Sequence, residues 1–297
     1  MGKPINPAEC LSAAIEILRQ RPSALLTDLD GTISPIVSRP QDAVVDSKTV
    51  AVLRRLSRAL DVVGIVSGRS VSELRSMINA EHLTYIGNHG LEWWEDGHAI
   101  IAPEVRTYLP LVAATIRSVR EKLDLPGLLF EDKGVTGSIH YRLSPEPRET
   151  RDAILSALAE CPTARSLRFS PGRKVVDILP PVMAGKGTAV ERMVHTHHLR
   201  GVLYLGDDST DLNAFRELRA LNASGCCKSL LLAVSSPEAP EELLAEADYR
   251  LDGVDSVLTF LELTATRLEL DPPGLAHSLL TLKRNPLRFK INRGSPC

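Results

Sequence analysis

Ala24-Leu25-Leu26-Thr27-Asp28-Leu29-Asp30-Gly31-Thr32 is a short apolar run that ends in two acids and a Gly-Thr turn. Far along the chain the design recurs, with Val202-Leu203-Tyr204-Leu205 running into Gly206-Asp207-Asp208-Ser209-Thr210-Asp211. Runs this short and apolar suit strands buried on both faces of a parallel sheet, and ligands of open α/β folds bind at the carboxyl ends of such strands. Carboxylates gathered there repel one another unless a cation joins them. Mg²⁺ fits, because it takes oxygen ligands, uses one or two carboxylates, keeps several waters and works with substrate phosphates.

Outward from these two runs, apolar segments alternate with helical periodicity. Helices are expected over 8–20, 48–60 and 71–78, and strands near Leu25, near Val63 and over 84–86. That alternation implies βαβ units and a parallel sheet. From about Pro103 the texture becomes β-rich with two helices: helix 111–123, extended 128–131 and 137–143, helix 148–159, extended 166–170 and 174–178. The first texture then resumes with helix 186–195, strand 202–205, helix 212–221, strand 230–234, helix 240–246 and a last edge at 249–251. The tail from about Asp271 carries Lys283, Arg284, Arg288, Lys290 and Arg293 among prolines and glycines, and reads as a solvated extension.

The 297 residues, 43% hydrophobic and 24% charged, are enough for a substantial core and more than one domain. A net charge of −2 makes nucleic acid an unsuitable general partner. No apolar stretch has membrane-spanning length, and no apolar signal region precedes Asp28, so a cytoplasmic location is expected. Cys10, Cys161, Cys226, Cys227 and Cys297 show no zinc spacing; reduced thiols and no structural disulfide are expected.

The Asp28-Leu29-Asp30-Gly31-Thr32 motif and the Gly206–Asp211 acidic cluster resemble the first and fourth motifs of the haloacid dehalogenase superfamily of aspartate-nucleophile phosphatases. Ser67-Gly68-Arg69, directly after Val62-Val63-Gly64-Ile65-Val66, looks like its second motif, and Lys186 in Gly185-Lys186-Gly187 looks like its third. The resemblance implies an α/β fold: a Rossmannoid parallel-sheet core over 1–102 and 183–265, an inserted α+β cap over 103–182 that chooses the substrate, and a C-terminal extension over 266–297. It also implies metal ligation by the Asp28 carboxylate, the Asp30 backbone carbonyl and Asp207. Asp208 and Asp211 stay open as ligands or as groups that orient them.

The chemistry asks for these residue types. Phosphate monoesters resist hydrolysis, and a covalent aspartyl-phosphate replaces one hard step by two easier ones. Asp28 is the expected nucleophile. Asp30 is the expected general acid and base, protonating the leaving alcohol and then deprotonating the attacking water. Lys186, Thr32, Ser67 and Gly68 are expected around the phosphate, where positioning and charge neutralisation carry most of the catalysis.

Three further stretches resemble trehalose-6-phosphate phosphatases: Gly87-Asn88-His89-Gly90-Leu91-Glu92, the segment from Asp132-Lys133-Gly134 to His140-Tyr141-Arg142, and Gly172-Arg173-Lys174-Val175-Val176-Asp177. The likeness spans about 25–260. It implies sugar contacts by Lys133, Arg142 and Asp177, with Arg69, Asn88 and His89 also on the substrate. Forked donors and carboxylate acceptors are what a polyol needs, and a site built on them rejects analogues that leave it unpaired. Asp177 stands where that family usually has Glu, and Leu212-Asn213 stands where an acid commonly follows Asp211.

The expected substrate is therefore trehalose 6-phosphate, with trehalose-phosphate synthase as a possible partner. Alternatives are another sugar phosphate, such as sucrose phosphate or a glycosyl-glycerol phosphate, or a non-catalytic regulatory subunit. Gly185-Lys186-Gly187-Thr188 is no nucleotide P-loop, since Pro180 stands at the required earlier glycine. His195, His197 and His198 read as a helix end, and Trp93-Trp94 as packing at a core–cap junction.

Overall fold

The structure, a computed structural model, describes residues 7–95 and 97–271. The chain divides into two compact units. The first comprises the described residues of Met1–Val37, Ala43–Ala99 and Ala184–Cys297; the second comprises Ser38–Asp42 and Ile100–Met183.

In the first unit, the central apolar runs become strands because the sheet offers them a buried face on either side. β1 (Ser23–Thr27) and β2 (Val62–Val66) are buried throughout. The chain runs α1 (Pro7–Leu18), β1, α2 (Ser47–Ala59), β2, α3 (Val71–Ile78), β3 (Thr84–Gly87), β4 (Glu92–Glu95) and β5 (His98–Ile101). The second unit supplies α4 (Leu109–Lys122), β6 (Leu129–Asp132), β7 (Gly137–His140), α5 (Pro147–Glu160), β8 (Arg168–Gly172) and β9 (Val175–Leu179). The first then resumes with α6 (Lys186–His197), β10 (Gly201–Gly206), α7 (Ser209–Ala223), β11 (Lys228–Ser235), α8 (Glu241–Glu246), β12 (Tyr249–Asp252) and α9 (Gly253–Leu270).

The large sheet has the order β12-β11-β10-β1-β2-β3-β4-β5. It is parallel from β12 through β3, and β4 joins antiparallel. From β1 the chain builds outward one way through β2 and β3, and it later returns to build outward the other way from β10. The β1–β10 seam is thus the topological switch point, where open α/β sheets bind ligands. The N–H of Asp28 continues that ladder to the carbonyl of Leu205 at 2.9 Å, bringing the two acidic turns side by side. Leu25, Leu203, Leu205, Leu230 and Leu232 face a core shared with α1, α2, α3 and α9. On the other face of β10, Tyr204 packs edge-on against Phe215 of α7, with ring centroids 5.9 Å apart.

The second unit holds an antiparallel sheet of order β6-β7-β9-β8. Phe130, Ile139, Val176 and Ile178 pack with Val112, Ile116 and Val119 of α4 and with Ile154 and Leu158 of α5. Alternate residues therefore stand on the opposite, polar face, as in an antiparallel sheet covered on one side.

Several expectations need correction. The sequence reading assigns no element to the segments of β4, β5 and α9, although Val257, Leu261, Ala265 and Leu268 form a buried helical stripe. The cap of α3 is Ser70, whose hydroxyl pairs with Glu73 in a capping box, so Ser67 is left to the preceding turn. Trp93 and Trp94 both lie on β4, the first buried; Arg192 stacks over Trp93 and Arg75 over Trp94. His198 closes α6 in the left-handed conformation with φ of 50°. Cys10, Cys161 and Cys227 are free thiols. Cys226 is disulfide-bonded, contrary to the expectation of reduced thiols and no structural disulfide. The basic tail beyond Asp271 also lies outside them. Among the described residues no helix is long and apolar enough to cross a membrane.

Candidate active site

The turn after β1 is tight. The carbonyl of Leu29 accepts the N–H groups of Thr32, Ile33 and Ser34, and the N–H of Gly31 bonds back to Ser34 at 2.7 Å. Gly31 is left-handed with φ of 89°, and a Cβ placed on it would lie 1.9 Å from Oδ2 of Asp207. No side chain fits there, because the acid from β10 fills that space. Gly31→Ala is accordingly expected to cost about 1–3 kcal/mol, read as a lowered urea midpoint. A variant as stable as the parent would mean that the two turns do not meet this closely.

Around that contact the first unit assembles a buried charge cluster. Lys186, the first residue of α6 and 2% exposed, places Nζ 2.8 Å from Oδ1 of Asp28 and 2.9 Å from Oδ1 of Asp211, with Oδ1 of Asp208 at 3.8 Å. Asp211 accepts twice at each oxygen. Lys186 Nζ and the Tyr204 hydroxyl, at 2.8 Å, donate to Oδ1, while the N–H groups of Asp207 and Asp208 donate to Oδ2 at 3.0 and 3.1 Å. Asp208 caps α7, accepting from the N–H groups of Thr210 and Asp211. Thr32 is buried and directs its hydroxyl to Oδ1 of Asp207 at 3.4 Å.

Several acids face one lysine, and the protonation equilibria register the excess. Burial, opposed by Lys186 and reinforced by Asp208 and Asp207, pushes Asp28 up to about 8. Burial also raises Asp211 well above the carboxylate range despite Lys186. For Lys186, burial favours the neutral amine, but Asp211, Asp28 and Asp208 override it and hold the ammonium well above its ordinary value. Burial works to raise Asp208 too, yet Lys186 and the hydrogen bonds from Thr210 and Asp211 hold it below the usual range. Carboxyl oxygens of Asp28, Asp207 and Asp211 lie within 4.8 Å of one another, a grouping able to hold a metal ion. An all-oxygen, acid-rich set with too little resident positive charge fits Mg²⁺.

A second loop approaches the same turn. The Arg69 guanidinium forks onto Asp30, Nε to Oδ2 at 2.6 Å and Nη2 to Oδ1 at 2.8 Å. Ser67 accepts the N–H of Arg69 at its hydroxyl, 3.3 Å away. Asn88 and His89 are both left-handed, with φ of 49° and 58°. Their N–H groups return to the carbonyls of Arg69 and Ser67 at 2.7 and 3.0 Å. The His89 ring lies so close over Gly68 that a Cβ there would sit 2.6 Å from Cε1. Buried Glu92 braces this loop, accepting from the Asn88 amide at 2.8 Å and from the N–H of Val71 at 2.9 Å.

Lys133, Arg142 and Asp177 belong to the second unit. Strand register sets Glu131 opposite Ser138, Ser138 opposite Asp177, and Asp177 opposite Ser170, one continuous row on the polar face. Ser138 donates to Oδ1 of Asp177 at 2.6 Å. Glu131 pairs with Nε2 of His140 at 2.7 Å and has Lys133 Nζ at 3.8 Å. Arg142 donates to the Arg173 carbonyl at 3.1 Å. Glu131, Ser138 and His140 were missed in the sequence. The signal was present, since Glu131 precedes Lys133 by two and Ser138, His140 and Arg142 keep the same period.

A family model described as trehalose-phosphatase matches residues 26–252. The chain belongs to the trehalose-phosphatase family. The probable trehalose-phosphate phosphatase J of Arabidopsis thaliana is 28% identical over 223 residues, 69% of this chain and 59% of that protein. The probable phosphatase H of the same plant is 27% identical over 258 residues, 80% and 70%. The chain thus spans about three fifths of the length of the first of these trehalose-phosphatase relatives. Solved structures show the haloacid dehalogenase fold expected from the motifs. The C-terminal domain of C. albicans trehalose-6-phosphate phosphatase superimposes with a TM-score of 0.74 at 22% identity, over 90% of this chain and 99% of that one. The C-terminal domain of the Candida albicans trehalose synthase regulatory protein gives 0.62 at 17% identity, over 87% and 98%.

Proposed function

We propose that this member of the trehalose-phosphatase family hydrolyses trehalose 6-phosphate to trehalose and inorganic phosphate through an aspartyl-phosphate on Asp28. The carrying observation is the buried Asp28–Lys186–Asp211 contact at the strand switch point, which sets an acid beside a cation where a phosphate would arrive. An Asp28 oxygen bonds to phosphorus as the bond from phosphorus to the sugar oxygen breaks, and the leaving oxygen takes a proton from Asp30. Water then gives a proton to Asp30 and its oxygen to phosphorus, the Asp28–phosphorus bond breaks, and phosphate leaves.

Lys186 neutralises charge on the phosphoryl oxygens, with Ser67, Gly68 and Thr32 assigned to the same group. Asp28, Asp207 and the Asp30 carbonyl would hold Mg²⁺, which supplies further neutralisation of that charge. Asp211, doubly occupied at both oxygens, orients Lys186 and the turn, and Asp208 caps the helix. Residues 103–182 serve as the cap, where Lys133, Arg142 and Asp177 read the sugar while Arg69, Asn88 and His89 contact the substrate from the core.

The test is phosphate release from trehalose 6-phosphate, sucrose 6-phosphate, glucose 6-phosphate and 4-nitrophenyl phosphate, with Mg²⁺ and with chelator. Preference for trehalose 6-phosphate that vanishes with chelator is the expected result. Lys133→Ala and Arg142→Ala should lower kcat/KM for the disaccharide ester by about 10–100-fold, from the loss of charged hydrogen bonds, and the aryl ester far less. Equal losses on both esters would reject the sugar-reading role. The likeness to a regulatory protein's domain gives the second reading, a non-catalytic binder. A chain with Asp28, Asp30, Lys186 and Asp207 all in place has no need of them for binding alone, and complete inactivity on the panel would favour that reading.

A further inference from the structure

The resting geometry of Asp30 conflicts with the work assigned to it. Both of its oxygens accept from one planar guanidinium, at 2.6 and 2.8 Å, so the carboxylate cannot turn toward a leaving oxygen or an attacking water while that fork is kept. The grip is built rather than incidental. The Arg69 side chain is 10% exposed, whereas the Asp30 side chain is 35% exposed. The backbone of Arg69 is tied to Asn88 through its carbonyl and to Ser67 through its N–H. With that backbone held, release takes rotation of a side chain, that of Arg69 or that of the more exposed Asp30.

A second resting place stands beside it. Oε1 of Glu73 lies 3.8 Å from Nη1 of Arg69, while Oε2 of Glu73 is taken by the N–H and hydroxyl of Ser70. Arg69 thus lies between two carboxylates, bonded to one and within a short rotation of the other.

We propose that Arg69 is a positioning residue that latches Asp30 and lets go when a phosphate monoester enters, its guanidinium passing to the ester's anionic oxygens and to Glu73. This rests on the phosphatase reading and deepens it. A forked guanidinium binds a phosphate as readily as a carboxylate, so the arriving dianion competes directly for the latch. Turnover by Asp30 is then coupled to occupancy. Every monoester carries that dianion, so Arg69 answers to the phosphate and the fork to Asp30 competes with each of them.

The test compares Arg69→Gln and Arg69→Lys with the parent at saturating Mg²⁺, on trehalose 6-phosphate and on 4-nitrophenyl phosphate. Nitrophenolate leaves without a proton, so its turnover reads the later step in which water attacks with Asp30 as base. Removing the latch should raise kcat for the aryl ester by about threefold or more, while kcat/KM for the sugar ester falls about tenfold or more. Lysine keeps the charge but not the fork, and should behave as glutamine does. The rise should vanish when Asp30→Asn is added. A residue that only holds the fold would lower both esters together. Melting temperatures show which variant is folded and can be read. Failure of the aryl-ester kcat to rise in a folded variant overturns the latch. Inactivity of the parent on both esters overturns the phosphatase reading, and the latch with it.

Discussion

Asp28→Asn is expected to end phosphate release, by a factor on the order of 10⁴ or more, and at the same time to make the metal-free protein more stable. The two effects share one cause. Asp28 is buried beside Asp207 and Asp208, and that setting pushes it up to about 8 from an ordinary 3.8. Between those values the folded chain binds more protons than the unfolded one, so unfolding free energy falls as pH rises across the interval. An amide has nothing to ionise. The advantage of the variant, measured as thermal midpoint in chelator, should be absent near pH 4 and grow up to about pH 8. Mg²⁺ should reverse the order, because it binds the native parent and stabilises it by mass action. Residual turnover in the variant, or midpoints that coincide at every pH, would remove Asp28 from the centre of the site.

Lys186→Met is expected to fail in the opposite sense, losing stability as well as activity. Methionine preserves much of the volume but leaves Asp28 and Asp211 buried without the ammonium that now lies 2.8 and 2.9 Å away. Removing one member of a buried charged set typically costs about 3–5 kcal/mol. A urea midpoint shift of that size should appear in chelator, and it should widen toward high pH as the abandoned acids ionise. Turnover should fall about 10²–10³-fold even where Mg²⁺ restores part of the stability, since charge on the transferring phosphoryl group loses a fixed partner. A variant that melts with the parent at all pH values would show that Lys186 does not balance the cluster.

The parts of the fold that could be read in advance are those whose local pattern and tertiary setting agree. β1, β2, β10 and β11 are built around short apolar runs, and the parallel sheet buries those runs on both faces. β4 and β5 were not legible, because adjacent Trp93 and Trp94 spoil a period of two and inward-facing Glu92 reads as polar surface. The pattern of α9 is legible in the helical spacing of Val257, Leu261, Ala265 and Leu268, although no motif marks it. At the site, the acids announced themselves by following strands. The Arg69–Asp30 fork joins positions 39 apart and has no local signature. Tyr204 was concealed for another reason, standing as one more large residue in an apolar run while its hydroxyl serves Asp211. On the polar face of the second sheet, the alternation that marks Glu131, Ser138 and His140 would have been readable once Lys133 and Arg142 were placed.

The shared ownership of Asp211 by Lys186, Tyr204 and the Asp207–Asp208 turn bears on how such a chain can change over generations. Erosion of catalysis in a duplicate copy is usually pictured as a drift in which reactive groups disappear one by one without penalty. Here that route is steep in most directions, because loss of the lysine strands acids and loss of Asp211 strands a lysine, a buried phenol and two backbone donors. Asp28 is the exception where no metal is bound, since its conversion to the amide then disarms the protein while relieving it. On the proposed mechanism, a descendant that abandons chemistry for binding has its gentlest first step at Asp28, with the rest of the constellation kept afterwards as architecture.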